Sequence, residues 1–282
     1  GGVLALTTFA QADLFRPRVD YYVPGEPWAV TSIDVDRDGA LDLMVSQHRT
    51  TFTPIVSKLL SMINDHEGGL ATAGNVPAIE FAGHLTSADF NADGLLDLAI
   101  VTTSDSIQIM LNNSDGTWTS TRFREPGDLV YVASAELTGD QYPDVVVVDA
   151  YSHRIKVMRS DGSGGISLWF YLDVVGVPRN VAFLNINDDG VPDVAVSVAT
   201  PTLNLFVSGS YMSYERRTSP MPGFQSHVEA VDLDRDGDDD LVMGHLQGSS
   251  LWTLRNNGDG TFATPGAVTL ASTPTRHVMA DF

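Results

Sequence analysis

The chain has 282 residues and a net charge of −20, and 43% of its residues are hydrophobic, so it can bury a core and is not a disordered chain. It contains no cysteine, which excludes disulfides, thiolate metal sites and cysteine nucleophiles. The negative charge argues against nucleic acid as a partner, and no apolar run approaches the roughly 20 residues that a transmembrane helix needs.

The N-terminal residues 1–12 allow two interpretations. Gly2–Phe9 is apolar, and Ala10-Gln11-Ala12 has the small-x-small form of a signal-peptidase site. The segment has neither a starting methionine nor a basic region before the apolar run. It is therefore either the remnant of a signal peptide or a β-strand.

A nine-residue motif rich in aspartate recurs along the chain. Its first copy is Asp34-Val35-Asp36-Arg37-Asp38-Gly39-Ala40-Leu41-Asp42, and later copies begin at Asp89, Glu136, Asn185 and Asp232. A sixth copy starts at Asp281. Successive copies begin 47 to 55 residues apart, which indicates a structural repeat.

Each repeat has the pattern of four short strands. A β-branched or aromatic run precedes the motif, a second follows it directly, and a third ends in a polar turn such as Asn112–Trp118 or Asn256–Phe262. A fourth run leads to the next repeat. Four strands in about 48 residues is the unit of a propeller blade. The sequence therefore predicts an all-β fold, a β-propeller of four-stranded antiparallel blades, in a single domain over residues 1–282.

Five complete blades are predicted, and both termini supply parts of others. Leu14–Val23 is predicted as an outer strand, Val3–Thr8 as the strand before it and Arg276–Phe282 as an innermost strand, giving six or seven blades in total. Open blade edges allow the ends to pair with each other or with a neighbouring copy. Ser57–Ala73 is predicted as an insertion in the first blade, either a binding loop or a tolerated surface loop.

The alternate acidic residues of the motif indicate a metal site. Side chains at positions 1, 3, 5 and 9 and the backbone carbonyl at position 7 offer hard oxygen ligands, a set that selects calcium. The loop is not an EF-hand, because position 12 is Val45 rather than glutamate and strands flank it. Up to five calcium sites are predicted, with the ligands Asp34, Asp36, Asp38, Ala40 and Asp42; Asp89, Asn91, Asp93, Leu95 and Asp97; Glu136, Thr138, Asp140, Tyr142 and Asp144; Asn185, Asn187, Asp189, Val191 and Asp193; and Asp232, Asp234, Asp236, Asp238 and Asp240.

The five sites are expected to differ in affinity. The first and fifth copies carry four carboxylates at the ligand positions, the second carries three, and the fourth has only Asp189 and Asp193. The third copy has Gln141 where the others have glycine, so it is the weakest candidate. The alternative interpretation is that aspartate and glycine simply form turns here.

The motifs, together with the turns of the Asn-Asn-x-Asp-Gly-Thr-Phe type at Asn256–Phe262, resemble FG-GAP/VCBS repeats, the blades of the integrin α-chain head and of many secreted proteins. The resemblance covers nearly the whole chain. It implies a β-propeller with calcium in the hairpin loops between the first two strands of each blade. Phe-Gly and Gly-Ala-Pro signatures are not clearly present, so the chain is closer to the VCBS type, and no Arg-Gly-Asp motif occurs.

No catalytic constellation is visible: the sequence has no Gly-x-Ser-x-Gly, P-loop or His-Glu-x-x-His motif. Three histidines lie before motifs, where they face a channel or simply belong to strands: His84, His227 and His277. Several aromatic residues either stack on sugars or pack between blades: Trp118, Trp169, Trp252, Tyr211 and Tyr214.

The predicted function is that of a secreted, extracellular module for adhesion to a protein or glycan, with calcium in a structural role and no enzymatic activity. Calcium is abundant enough to fill such loops mainly outside the cytosol. Two alternatives are a structural subunit of an extracellular assembly or filament, joined through its open ends, and a catalytic propeller of the polysaccharide lyase or hydrolase kind.

Overall fold

The computed structural model describes residues 20–23, 26–48, 58–76, 82–102, 105–209 and 213–274. These residues form five antiparallel sheets of four strands, with the strands of each sheet neighbouring one another in chain order, and no helix. The sheets are the blades of a β-propeller, which confirms the predicted fold class and its five complete blades. None of the described residues forms a helix that could cross a membrane.

The blades follow one another along the chain. Blade 1 contains β1 (Glu26–Ile33), β2 (Asp42–His48), β3 (Lys58–Asn64) and β4 (Leu70–Val76). Blade 2 contains β5 (Ala82–Ala88), β6 (Asp97–Thr102), β7 (Ser106–Asn112) and β8 (Trp118–Arg124). Blade 3 contains β9 (Leu129–Ala135), β10 (Asp144–Asp149), β11 (Arg154–Ser160) and β12 (Ile166–Asp173). Blade 4 contains β13 (Pro178–Leu184), β14 (Asp193–Val198), β15 (Thr202–Ser208) and β16 (Tyr214–Pro220). Blade 5 contains β17 (Gln225–Val231), β18 (Asp240–His245), β19 (Ser250–Leu254) and β20 (Gly266–Thr269).

The hydrophobic core lies between blades rather than on one central axis. The second strands β6, β10 and β14 are buried at every residue, whereas the outer strands β8 and β16 are mostly exposed. One cluster joins each pair of successive blades, as Ile33 and Met44 of blade 1 do with Leu98 and Ile100 of blade 2. The second strands therefore read as continuous apolar runs because a neighbouring blade covers each of their faces.

The innermost strands also bond to one another. Between blades 1 and 2, the Ser87 hydroxyl donates to the Ser32 carbonyl at 3.0 Å. Between blades 4 and 5, the Asn180 amide donates to the Val228 carbonyl at 2.9 Å. These bonds satisfy polar groups that would otherwise face a neighbouring strand without a ladder partner.

The predicted insertion in blade 1 is wrong, because most of Ser57–Ala73 belongs to β3 and β4. The two strands pair through a turn in which Asp65 accepts the Gly69 N–H at 2.7 Å. Asn64–Leu70 is thus a divergent copy of the Asn112–Trp118 turn. The longer first repeat has its extra residues elsewhere, since nine residues, 49–57, separate β2 from β3, against three in blade 2.

Most of the predicted terminal strands lie outside the described residues, namely 1–19 and 275–282. The described end of the predicted outer strand, Asp20–Val23, does not form a strand. Val23 instead packs beside Val45, Leu60 and Met62, on the face of blade 1 that does not contact blade 2. At the other end, the Pro274 carbonyl accepts a hydrogen bond from the Ser226 hydroxyl at 3.1 Å.

Candidate metal centres

The five Asp-rich motifs form loops of one backbone shape between the first and second strands of each blade. Positions 4 and 6 adopt positive φ in every copy. In the third copy Gly139 occupies position 4 with φ 76° and Gln141 occupies position 6 with φ 72°. The third loop therefore keeps the common shape with glycine at position 4 instead of position 6, and like each of the other copies it holds one non-glycine residue in the left-handed region.

The aspartate at position 9 anchors each loop to the third strand of its blade. One carboxylate oxygen accepts the N–H of position 2, and the other accepts the N–H of the residue at or just beyond the end of the third strand. All ten bonds lie between 2.6 and 3.1 Å. The five side chains have no exposed surface: Asp42, Asp97, Asp144, Asp193 and Asp240.

Burial affects the ionisation of these anchors. Burial raises the pKa of Asp97 to about 6; the N–H groups of Asn112 and Phe90 oppose this rise, and the charges of Asp93 and Asp89 add to it. Burial also raises the pKa of Asp144. A nearby cation would favour the ionised form of such a buried carboxyl.

The first loop gathers three carboxylates at one point. Oxygens of Asp34, Asp36 and Asp42 lie within 4.8 Å of one another. Asp38 turns away, since it accepts the Ala40 N–H at 2.8 Å and lies 2.7 Å from the His66 ring. The hydrogen bond from the Ala40 N–H lowers the pKa of Asp38; burial opposes this, and the hydrogen bond and charge of His66 add to the lowering. The loop fits an oxygen-coordinated divalent cation, with Asp34, Asp36 and Asp42 as its nearest ligands.

The fifth loop also gathers three carboxylates, from Asp232, Asp234 and Asp236, within 4.8 Å. Burial and the charges of Asp236 and other loop aspartates raise the pKa of the adjacent Asp238. Here, however, the guanidinium of Arg255 is hydrogen-bonded to Asp234. The cluster fits a cation, but the arginine competes for one of its ligands.

In the second and fourth loops, the asparagine side chain at position 3 donates a hydrogen bond to the aspartate at position 5. The Asn91 amide donates to Asp93 at 3.0 Å, and the Asn187 amide donates to Asp189 at 2.9 Å. The N–H groups of Leu95 and Val191, at position 7, donate to the same carboxylates. A cation would bind here only after the asparagine side chain turned its oxygen inward. These loops are thus poorer fits than the first.

The third loop does not fit a metal ion. One oxygen of Glu136 accepts the N–H groups of Thr138, Gly139 and Asp140 at 2.5 to 3.2 Å. The other carboxylate, Asp140, is 2.8 Å from the Arg159 guanidinium. Burial acts to raise the pKa of Asp140, but the Arg159 hydrogen bond and charge outweigh it and lower the pKa. The backbone and an arginine thus satisfy the charges that calcium would otherwise neutralise.

Arg159 and Arg255 are site residues that the motif pattern does not reveal. Each directly precedes the residue whose N–H binds the position-9 aspartate, at the end of its blade's third strand. The signal is a basic residue at that place in blades 3 and 5, where blades 1, 2 and 4 have Ile63, Leu111 and Val207.

Of the histidines and aromatic residues named in the sequence analysis, some are packed between blades and others are exposed. Trp252 is buried in the cluster between blades 4 and 5, Trp118 packs against the cluster between blades 1 and 2, and Tyr214 stacks on Phe170. Trp169 is 46% exposed. His84 and His227 line a cavity between innermost strands, whereas Tyr211 and His277 lie outside the described residues.

Comparisons with solved structures agree with the fold. The chain superposes on the BBS1 N-terminal domain from its complex with ARL6 with a TM-score of 0.61 at 13% identity, covering 88% of this chain and 70% of that one. An Agrocybe aegerita lectin that recognises non-reducing terminal N-acetylglucosamine gives 0.58 at 16% identity, covering 89% and 67%. The Pseudomonas aeruginosa periplasmic gluconolactonase PpgL gives 0.63 at 12% identity, covering 88% and 71%.

Comparison at the level of sequence finds similarity over part of the chain. No curated protein sequence matches the chain. A family model of FG-GAP-like repeats matches residues 89–147 and 215–282, which include the second, third and fifth loops. With the blade architecture and the loop geometry in agreement, the protein is a β-propeller that contains FG-GAP-like repeats.

Proposed function

We propose that the protein is an extracellular, calcium-stabilised propeller that binds a protein or glycan ligand and has no enzymatic activity. The convergence of Asp34, Asp36 and Asp42 within 4.8 Å carries the calcium part of this proposal. Like charges so close repel one another, and a divalent cation would remove that repulsion. Sites of this kind in extracellular modules are filled by the high free calcium outside the cytosol.

The loop geometry predicts an order of affinity. The first loop binds calcium most tightly, the fifth more weakly because Arg255 must release Asp234, the second and fourth weaker still, and the third not at all. Isothermal titration should therefore give a tightest site that Asp36→Asn removes and a second that Arg255→Ala strengthens. Each filled site should stabilise the fold by about 1.4 kcal/mol at a free calcium concentration about tenfold above its Kd.

The control for this experiment is Asp115→Asn, in an exposed turn outside the motifs, which should leave the titration unchanged. An unchanged melting temperature in EDTA, together with no heat of calcium binding, would refute a calcium-stabilised fold.

The ligand-binding part rests on the β12 patch, which we define as Leu168, Trp169 and Tyr171. Each is 46 to 47% exposed on the outer strand of blade 3. Guanidinium groups lie over both rings: Arg159 is 5.0 Å from the Trp169 ring centroid and Arg154 is 3.8 Å from that of Tyr171. Exposed aromatic side chains with arginine groups over their rings are typical of recognition surfaces.

The corresponding outer strands β8 and β16 present mainly polar residues, in the runs 119–122 and 215–218. Blade 3 is thus distinctive on both counts, since its loop lacks a metal fit and its outer strand carries the patch. Arg159 links the two features because it bonds to Asp140 and lies over Trp169.

Replacing Trp169 with alanine should abolish ligand binding while preserving the fold. A glycan array probed with the labelled protein measures this, and Tyr151→Ala is the matched control because Tyr151 is 84% exposed and lies in the turn between β10 and β11 rather than on β12. We expect wild type and Tyr151→Ala to bind alike and Trp169→Ala to lose the signal. Equal binding by Trp169→Ala would remove the patch from the binding site, and an array without signal would leave protein ligands as the class to screen.

A further inference from the structure

A cavity of about 480 Å³ lies between the innermost strands of blades 1, 2, 3 and 5. Its polar and aromatic lining comprises Trp28 on β1, His84 and Thr86 on β5, Tyr131 on β9, and His227 and Glu229 on β17. We call this the channel cavity. Its volume is in the range of pockets that hold small organic molecules.

Aromatic rings surround the channel cavity. Trp28, which lines the cavity, is 57% exposed, whereas Trp252 in the cluster between blades 4 and 5 is only 4% exposed. The rings of His84 and Tyr131 stack with centroids 3.9 Å apart, and Tyr131 meets His227 edge-on at 6.2 Å. The cavity therefore presents a large tryptophan face and a supported tyrosine ring to whatever enters it.

The described lining of the channel cavity is acidic. Glu229 is its one carboxylate, and neither lysine nor arginine is among the described lining residues. The Glu229 carboxylate lies 3.2 Å from His227 Nε2. On the opposite side, His84 Nδ1 lies 3.1 Å from the Val132 carbonyl. Because a carbonyl can only accept, Nδ1 carries the hydrogen, and Nε2 of a neutral His84 is an acceptor.

Aromatic faces beside a single carboxylate favour one class of ligand. The π-faces of tryptophan and tyrosine attract cations, and the partly buried carboxylate of Glu229 supplies the counter-charge. A metal ion is a poorer fit, because the described groups of acidic and histidine side chains that converge within 4.8 Å are in the first and fifth loops and not here. We propose that the channel cavity binds an organic ammonium ion, held between Trp28 and Tyr131 with Glu229 as its counter-ion.

The proposal is tested with choline and its neutral isostere 3,3-dimethylbutan-1-ol, titrated into the full chain by calorimetry. We expect saturable binding of choline and at least about tenfold weaker binding of the alcohol, a difference of about 1.4 kcal/mol. Glu229→Gln should abolish that preference, and Trp28→Ala should weaken choline binding where Trp28→Phe retains most of it. Glu215→Gln is the matched control, since that carboxylate is 68% exposed on β16 and pairs with Arg217.

Several results would overturn the proposal. These are the absence of choline binding, equal affinity for the alcohol, and undiminished choline affinity in both Glu229→Gln and Trp28→Ala. Binding of N-acetylglucosamine without choline, sensitive to Trp28→Ala, would show a neutral sugar site instead. Circular dichroism of each variant separates lost binding from lost folding, and the Trp28→Phe and Trp28→Ala pair provides the answer if Glu229→Gln does not fold.

Discussion

Replacing Lys156 with methionine is expected to lower the free energy of unfolding by about 3 to 5 kcal/mol. The Lys156 side chain is buried, and its ammonium lies 2.8 Å from Glu125, 3.0 Å from Asp149 and 2.7 Å from the Pro126 carbonyl. Asp149 is 1% exposed. Methionine would fill a similar volume but leave two carboxylates in a largely buried site without their counter-charge.

The effect should depend on pH. Burial acts to raise the pKa of Asp149, but hydrogen bonds from Ser152 and Lys156 outweigh it and hold the pKa below 3.8. In the wild type this carboxylate stabilises the fold above pH 3.8, and the stabilisation is lost as the pH falls through the lower folded pKa. In Lys156→Met the unpaired carboxyl should instead have a raised pKa, so the deficit relative to wild type should shrink as the pH falls from 7 toward 4.

Urea unfolding followed by circular dichroism, at neutral and acidic pH, measures this deficit. Arg154→Met is the control, because the Arg154–Asp173 pair is exposed and such pairs contribute about 1 kcal/mol or less. If both variants lost equally little stability, the Lys156 group would not anchor the segment between β8 and β9 to blade 3.

The second large effect is expected at the loop anchors, and blade 3 isolates it from metal binding. Asp144→Ala should cost about 3 kcal/mol, because it leaves the buried N–H groups of Leu137 and Ser160 without acceptors, each worth about 1 to 3 kcal/mol. Relief of the desolvation of a buried carboxyl offsets part of that loss. Asp144→Asn should cost less, since one acceptor oxygen remains.

The comparison that separates anchoring from metal ligation is Asp36→Ala measured in EDTA. Asp36 is exposed and accepts one N–H, that of Asp38, at 3.3 Å. Without calcium this substitution should cost less than about 1 kcal/mol, and with calcium it should remove the stabilisation due to the first site. Thermal unfolding of both variants, each with calcium and in EDTA, gives the four losses of stability to be compared. Equal losses for Asp144→Ala and Asp36→Ala in EDTA would contradict the anchoring role.

The repeat was readable from the sequence because its signals are local. Short β-branched and aromatic runs and a nine-residue motif each lie within one blade, and the motif recurs every 47 to 55 residues. Together they predict four-stranded blades and the loop between the first two strands. Where the local signal weakened, the prediction was wrong. Asn64–Leu70 has Glu-Gly-Gly where the related turns have Asp-Gly-Thr, so the sequence predicts an insertion where the structure has β3 and β4 of blade 1.

The sequence by itself determined the blade unit, the number of complete blades and which carboxylates belong to each loop, since these depend on neighbours in the chain. Only the tertiary structure decided what surrounds those carboxylates. Arg159 and Arg255 approach the loops from the ends of third strands, about 20 residues away in the chain, and the channel cavity joins residues from four blades. Packing between blades determines these contacts, and no periodic pattern along the chain predicts them.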